Sequence, residues 1–205
     1  MSAIKPIARA VGFVCAIPHL LCYALGKAIL GGPRAFMAAS ERIARVPGLL
    51  GIYARQAFYK RVLDRVGVDV HFGFMSLFSK RQATIGDRVY IGRFCTIGWA
   101  EIGDDVMLAD GVQILSGRHQ HGSSAESGDT LRDNEQQFSK VTIGKGAWIG
   151  AGAIVMADVG EGAIVGAGAV VVKPVVAGAK VGGVPAKALN LHGSFTRTSR
   201  DEPRP

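Results

Sequence analysis

The sequence predicts an all-β solenoid built from stacked three-sided coils. Two observations predict it. Ile143, Ile149 and Val155 stand six residues apart, and so do Val159, Val165 and Val171. A glycine follows four of these six (Gly144, Gly150, Gly160, Gly166), and small or apolar residues recur four places on at Ala147, Ala153, Ala163, Ala169 and Val175. A fixed short period marks a repeat architecture. Six fits neither the helical period nor a long alternating strand. It fits very short strands joined by tight turns, with the first apolar residue pointing inward. The glycine allows close backbone approach at the bend. Three such strands close one coil, and coils stack about 4.8 Å apart.

The same spacing runs upstream through Val66/Phe72/Phe78, Ile85/Ile91/Ile97 and Ile102/Leu108/Ile114. Val70, Val89, Cys95, Val106 and Val112 take the fifth places. The joins between triplets are irregular: seven residues from Phe78 to Ile85, five from Ile97 to Ile102, four from Val155 to Val159. Five coils result, with Ala177 beginning a sixth, incomplete one. A glycine-rich ordinary sheet does not account for five triplets of one spacing.

From Val66 to Leu189 this pattern resembles the hexapeptide-repeat acyltransferases, and looks most like their sugar and polysaccharide O-acetyltransferases. The resemblance implies a left-handed parallel β-helix. It also implies homotrimers with active sites between subunits, and acetyl-CoA as acyl donor with no metal.

The chain has 205 residues and a formal net charge of +8. Residues 1–65 hold ten Lys and Arg against Glu41 and Asp64, so they carry the whole excess; residues 66–205 hold fourteen of each sign. Sparse cations with little aromatic interleaving do not suggest nucleic acid. Beside an apolar segment they suggest an anionic membrane surface. Cys15, Cys22 and Cys95 have no metal-type or paired spacing, and Cys95 reads as a buried small hydrophobe. A reducing compartment fits.

Residues 1–65 therefore read as a basic, partly hydrophobic helical extension. Ala10–Gly26 is apolar apart from His19 and, at seventeen residues interrupted by Pro18, falls short of the roughly 20 needed to span. An interfacial anchor at the inner face of the membrane is the expected role. A cleaved signal peptide, with Ala24-Leu25-Gly26 as cleavage site, and a helix packed on the solenoid end compete with it. Gly31-Gly32-Pro33 breaks the segment, and Ser40-Glu41 looks like a helix start. Leu49–Arg65 reads as an amphipathic helix with Leu49, Ile52, Tyr59 and Leu63 on one face and Arg55, Arg61 and Arg65 off it. Such a helix suits a cap on the open first coil.

The solenoid domain spans 66–189 and is interrupted by a polar insertion, 116–140, rich in Ser, Gly, Asp and Gln. Insertions into solenoids gather on one face and often carry binding function. The segment 190–205 reads as a mobile tail.

Transfer of an acetyl group to a hydroxyl needs a base, and neutral His, with an ordinary pKa near 6.5, suits the task. Five histidines are present: His19, His71, His119, His121 and His192. His71 lies in the first coil and reads as structural. His119 and His121 open the insertion. The resemblance places the catalytic His here, five residues past Ile114 in sugar transacetylases (His119) and seven past in the antibiotic-modifying branch (His121). Both remain candidates. By the same resemblance the donor contacts fall on Trp148, Ala151, Ala167, Val172, Lys173 and Lys187. Val172 stands where the family has Thr. The acceptor-contacting Asn and Asp of the galactoside and maltose enzymes have no counterpart in Gly92-Arg93-Phe94 or Trp99-Ala100-Glu101. A free disaccharide is therefore not the expected acceptor, and Trp99 is a candidate for stacking on a sugar ring.

The expected function is acetyl-CoA-dependent O-acetylation of a polysaccharide or lipid-linked glycan precursor. An antibiotic-type acetyltransferase and a non-catalytic scaffold are the alternatives. A zinc hydrase on this solenoid would need three converging histidines, which the spacing does not offer.

Overall fold

The structure is a computed structural model that describes residues 4–117 and 138–189. Residues 65–189 form a parallel solenoid with three flat faces. The first face stacks Arg65–Val66, Thr84–Ile85, Ala100–Ile102 and Val141–Ile143, and continues through bridges to Val159 and Val175. The second stacks His71–Phe72, Tyr90–Ile91, Met107–Leu108, Trp148–Ile149, Ile164–Val165 and Lys180–Gly182. The third stacks Leu77–Phe78, Thr96–Ile97, Gln113–Ile114, Ile154–Val155 and Val170–Val171. Every strand is two or three residues long because the next corner follows at once.

Fourteen of the fifteen apolar triplet residues are buried, Val66 being half-covered by its end position. The fifth-place residues, from Val70 to Ala169, are buried as well. The aromatic bulk lies at one end, in Phe72 and Phe78, and the later coils shrink to Val and Ala. One expectation is corrected. The sixth coil begins at Val175, which bridges to Val159, and not at Ala177. Val175 follows Val171 by four residues, the same short join that separates Val155 from Val159. Lys187–Ala188 then folds back antiparallel on Lys180–Gly182 and covers the last exposed strand edge.

Three helices precede the solenoid: α1 (Ile4–Leu30), α2 (Gly32–Ala44) and α3 (Gly48–Val62). α1 has 27 residues, not seventeen, and runs through Pro18. A proline removes one helical hydrogen bond, and packing along α2 and α3 holds the helix across that gap. Gly12 permits the close crossing, since a Cβ there would lie 2.6 Å from the carbonyl carbon of Tyr53. Ser40-Glu41 does not start a helix; it lies inside α2, which begins at the glycine–proline break.

α2 and α3 cover the open first coil, with Tyr59 and Leu63 of the expected face buried and Leu49 not. Tyr59 packs its ring on Phe72 and Phe78, with centroids 5.0 and 4.8 Å away. The orphan backbone groups of the open edge find side-chain partners. Phe78 N–H donates to Ser40 Oγ at 2.9 Å, and Gln56 donates to the Val70 carbonyl. Arg55, expected off the packed face, is fully buried and donates to the carbonyls of Phe72, Ala44 and Val46. Leu49, expected on that face, is 75% exposed. The face is chosen by the unsatisfied carbonyls of the coil, which hydropathy does not register.

Candidate functional site

The corner between the second and third faces is a column of turns. In the first three coils these turns carry bulk and charge. Phe74 and Phe94 meet edge to face, and Arg93 pairs with Asp110 at 2.6 Å. In the next two coils the turns become Gly150-Ala151-Gly152 and Gly166-Ala167-Gly168. Gly152 and Gly168 hold φ of 67° and 66°, a region that favours glycine. The Gly168 N–H donates to the Ala151 carbonyl at 2.8 Å, so Ala151 and Ala167 stack directly, both exposed.

The backbone amides of this column change with the side chains. Arg93 N–H donates to Asp110 Oδ1 at 2.7 Å, an acceptor supplied by the next coil. Alanine at 151 and 167 supplies none, and the N–H groups of Asp110, Ala151 and Ala167 have no acceptor among the described residues. The first corner also loses its aspartate ladder after Asp104, but there the turns carry Lys145 and Glu161. Among the described residues, the second corner combines open donors with methyl-sized side chains in two successive coils.

Trp148 stands three residues before Ala151, outward on the second face, half exposed between Met107 and Ile164. Lys187 pairs with Gly182 at the far end of the same corner and is exposed. Four of the six expected donor residues therefore gather along the second corner. Val172 and Lys173 do not. They lie across the strand Val170–Val171, on the third corner, with Val172 half-buried and Lys173 exposed.

The third corner is where the insertion leaves and returns. Ser139 N–H donates to the Ser116 carbonyl at 3.0 Å, and Trp99 N–H donates to Ser116 Oγ at 2.8 Å. Phe138 lies under the Lys80 ammonium, 3.3 Å from ring centre to nitrogen. Burial pushes the Lys80 ammonium below its ordinary pKa. This clasp was not read from the sequence, where an isolated Phe in a polar stretch was its only trace. Trp99 is half-buried beside it. His119 and His121 lie outside the described residues, two and four positions beyond Gly117. Their point of departure is on coil three, at the corner that carries Lys173 two coils on, about 10 Å along the stack.

His71, expected to be structural, stacks on Tyr90 at 4.7 Å, and burial, then Arg55, holds its imidazole below the ordinary value. Among the described residues no three His, Cys, Asp or Glu side chains group as a metal site. Two cavities, of about 370 and 440 Å³, lie at the junction of α1, α3 and the first coil, and neither contains an expected donor residue.

A sequence profile described as the hexapeptide repeat of succinyl-transferase matches residues 82–116 and 140–173. The two stretches flank the insertion and carry the triplets of coils two to five. Residues 82–116 and 140–173 thus carry the hexapeptide repeat of that profile.

A serine acetyltransferase of Bacillus pumilus (strain SAFR-032) is 34% identical over 137 residues, covering 58% of this chain and 60% of the relative. The bifunctional protein GlmU of Bacillus licheniformis is 35% identical over 81 residues, 38% of this chain and 18% of the relative. The chain thus spans less than two thirds of either relative. Among solved structures, a maltose O-acetyltransferase from Clostridium difficile 630 superposes with a TM-score of 0.66 at 24% identity, over 78% of this chain and 87% of that one. A galactoside acetyltransferase in complex with coenzyme A gives 0.64 at 22% identity, over 77% and 81%. These likenesses establish the left-handed β-helix fold.

Proposed function

We propose that this protein transfers an acetyl group from acetyl-CoA to a sugar hydroxyl of a polysaccharide or lipid-linked glycan precursor, in the cytoplasm at the membrane. The observation that carries the reading is the second corner, with its open N–H groups and methyl-sized side chains at Ala151 and Ala167. The pantetheine arm of coenzyme A is narrow and its amide carbonyls need donors. Lys187 at one end of this corner supplies a charge for the phosphates. A similar protein of this fold is described in complex with coenzyme A.

Two corners of one triangular prism diverge and cannot face each other. A neighbouring copy that sets its second corner against this third corner would complete the site. Lys173 and the Ser116–Gly117 edge of the third corner would then face a donor held by the partner, which is the homotrimer the resemblance implies.

In the reaction, the neutral imidazole of His119 or His121 takes the proton as the acceptor oxygen attacks the thioester carbonyl carbon. The carbonyl electrons move to oxygen, and a backbone N–H stabilises that oxyanion. The C–S bond breaks as the oxyanion collapses, and the imidazolium returns the proton to the departing thiolate. Holding donor and acceptor together supplies much of the rate, so no acyl-enzyme is needed.

The test is thiol release from acetyl-CoA with a panel of glycan acceptors and L-serine, using the full chain and its His119→Ala and His121→Ala variants. Loss of about 10²–10⁴-fold in kcat at one histidine identifies the base. Full activity in both variants refutes histidine catalysis. Turnover of serine alone would move the acceptor to the amino-acid class named in the 34%-identical relative.

A further inference from the structure

The helical extension is layered along the solenoid axis. Coil one is covered by α2 and α3, and α1 lies on them. Tyr23 of α1, Phe36 of α2, and Phe58 and Tyr59 of α3 form a continuous aromatic stack down to Phe72 and Phe78. The outermost surface at this end is therefore the far side of α1. That side is apolar: Ile7, Val14, Leu21 and Leu25 are 64, 62, 64 and 65% exposed, at spacings that keep them on one stripe. From Pro6 to Gly26 the only charged residue is Arg9, which Asp69 holds at 2.7 Å. Nine of the ten cations of residues 1–65 are exposed around this layer, and Arg9, Lys60 and Arg61 line one of the junction cavities.

We propose that α1 lies in the plane of an anionic bilayer, and that the solenoid stands on the membrane with coil one down. An apolar helix face sinks about 5–10 Å into such a surface. The phosphates then lie level with the helix flanks, where the cations are. A second copy docked on α1 would oppose two strongly basic surfaces. A spanning α1 would either drag the cations of α2 and α3 into hydrocarbon or strip the aromatic stack of its cover.

The layering fixes a height. Two coil spacings and one to two layers of packing put Ser116–Gly117, where coil three gives way to the insertion, roughly 20–30 Å above the α1 axis. Resting on the acetyltransferase reading, the acceptor is then an extended glycan tethered to the membrane, with its reacting hydroxyl well clear of the lipid headgroups.

Vesicle flotation of the full chain tests the docking, with phosphatidylcholine alone and with added phosphatidylglycerol. Binding only to the anionic vesicles, weakened by salt, is expected. Leu21→Glu/Leu25→Glu, on the exposed stripe, should lower the partition by about 100-fold while circular dichroism and acetyl-CoA binding stay unchanged. Orientation is read from one added tryptophan at a time (Ile7→Trp, Val14→Trp or Leu25→Trp), quenched by lipids brominated at set depths; Trp99 and Trp148 lie on the solenoid and give a constant background. Equal depth at all three positions is the expected result. A deep centre with shallow ends means a spanning helix and overturns the proposal, as does absence of binding to either vesicle. The height is tested by acetylation of glycans on long and short lipid tethers, and equal turnover of both refutes it. Vesicle binding needs no coenzyme A, so its failure leaves the transfer reading standing, and loss of donor binding leaves the docking standing.

Discussion

Gly150 and Gly166 open successive turns of the same corner, yet the structure separates them sharply. A Cβ on Gly150 would lie 2.5 Å from the Ala167 nitrogen, which is backbone and cannot swing aside. A Cβ on Gly166 would have its nearest neighbour, the Val181 carbonyl oxygen, at 3.4 Å, an ordinary contact. Neither glycine has positive φ, so the comparison isolates packing. Gly150→Ala must push two turns apart by most of an ångström, and overpacking of this kind costs about 1–3 kcal/mol. Gly166→Ala only restricts the unfolded chain and should gain about 0.4–1 kcal/mol. The two variants should therefore differ by roughly 1.4–4 kcal/mol in urea denaturation, read as a shift of midpoint at constant slope. Because Ala151 and Ala167 are the proposed donor contacts, Gly150→Ala should also weaken acetyl-CoA binding and Gly166→Ala should not. Equal midpoints would refute the stacking argument. Equal binding with unequal midpoints would remove the corner from the donor site.

Other outcomes follow from the cap and the first coil. Arg55→Met leaves the carbonyls of Phe72, Ala44 and Val46 without their buried donor, and should cost about 3–5 kcal/mol by denaturation. A loss below about 1 kcal/mol would mean that water replaces the guanidinium. His71 is held below its ordinary pKa by burial and then by Arg55. As pH falls through 6.5 the unfolded chain binds this proton first, so stability present above 6.5 is lost on acidification toward the lower native value. His71→Phe keeps the stack on Tyr90 and should flatten the fall in urea midpoint between neutral and mildly acidic pH. An unchanged slope would show that the ring titrates freely.

The coils were legible because each inward residue obeys one rule, apolar every sixth place, and the narrow interior leaves no room for exceptions. The start of the sixth coil was missed at Val175, since the four-residue join had appeared only once before, at Val155–Val159. The helices were harder to read. Pro18 looked like a stop in α1, but neighbours that pack along the helix hold it together. Arg55 looked like a surface residue, because a sequence does not show which carbonyls a coil end leaves bare. For the site, the Gly-Ala-Gly turns announced the smooth corner, and the corner proves rich in open donors. That Val172-Lys173 lies on a different corner depends on where the third strand turns, which the resemblance carries no information about. The Lys80–Phe138 clasp is a long-range contact between coil one and the returning insertion, and no local pattern encodes it.

Calorimetric titration of acetyl-CoA into the full chain, compared with Lys173→Ala/Lys187→Ala, tests the central claim most directly. The account predicts saturable binding that weakens at least about tenfold in the double variant, as loss of charged contacts to phosphate implies. A correctly folded chain that binds no acetyl-CoA would contradict it and leave a non-catalytic solenoid scaffold.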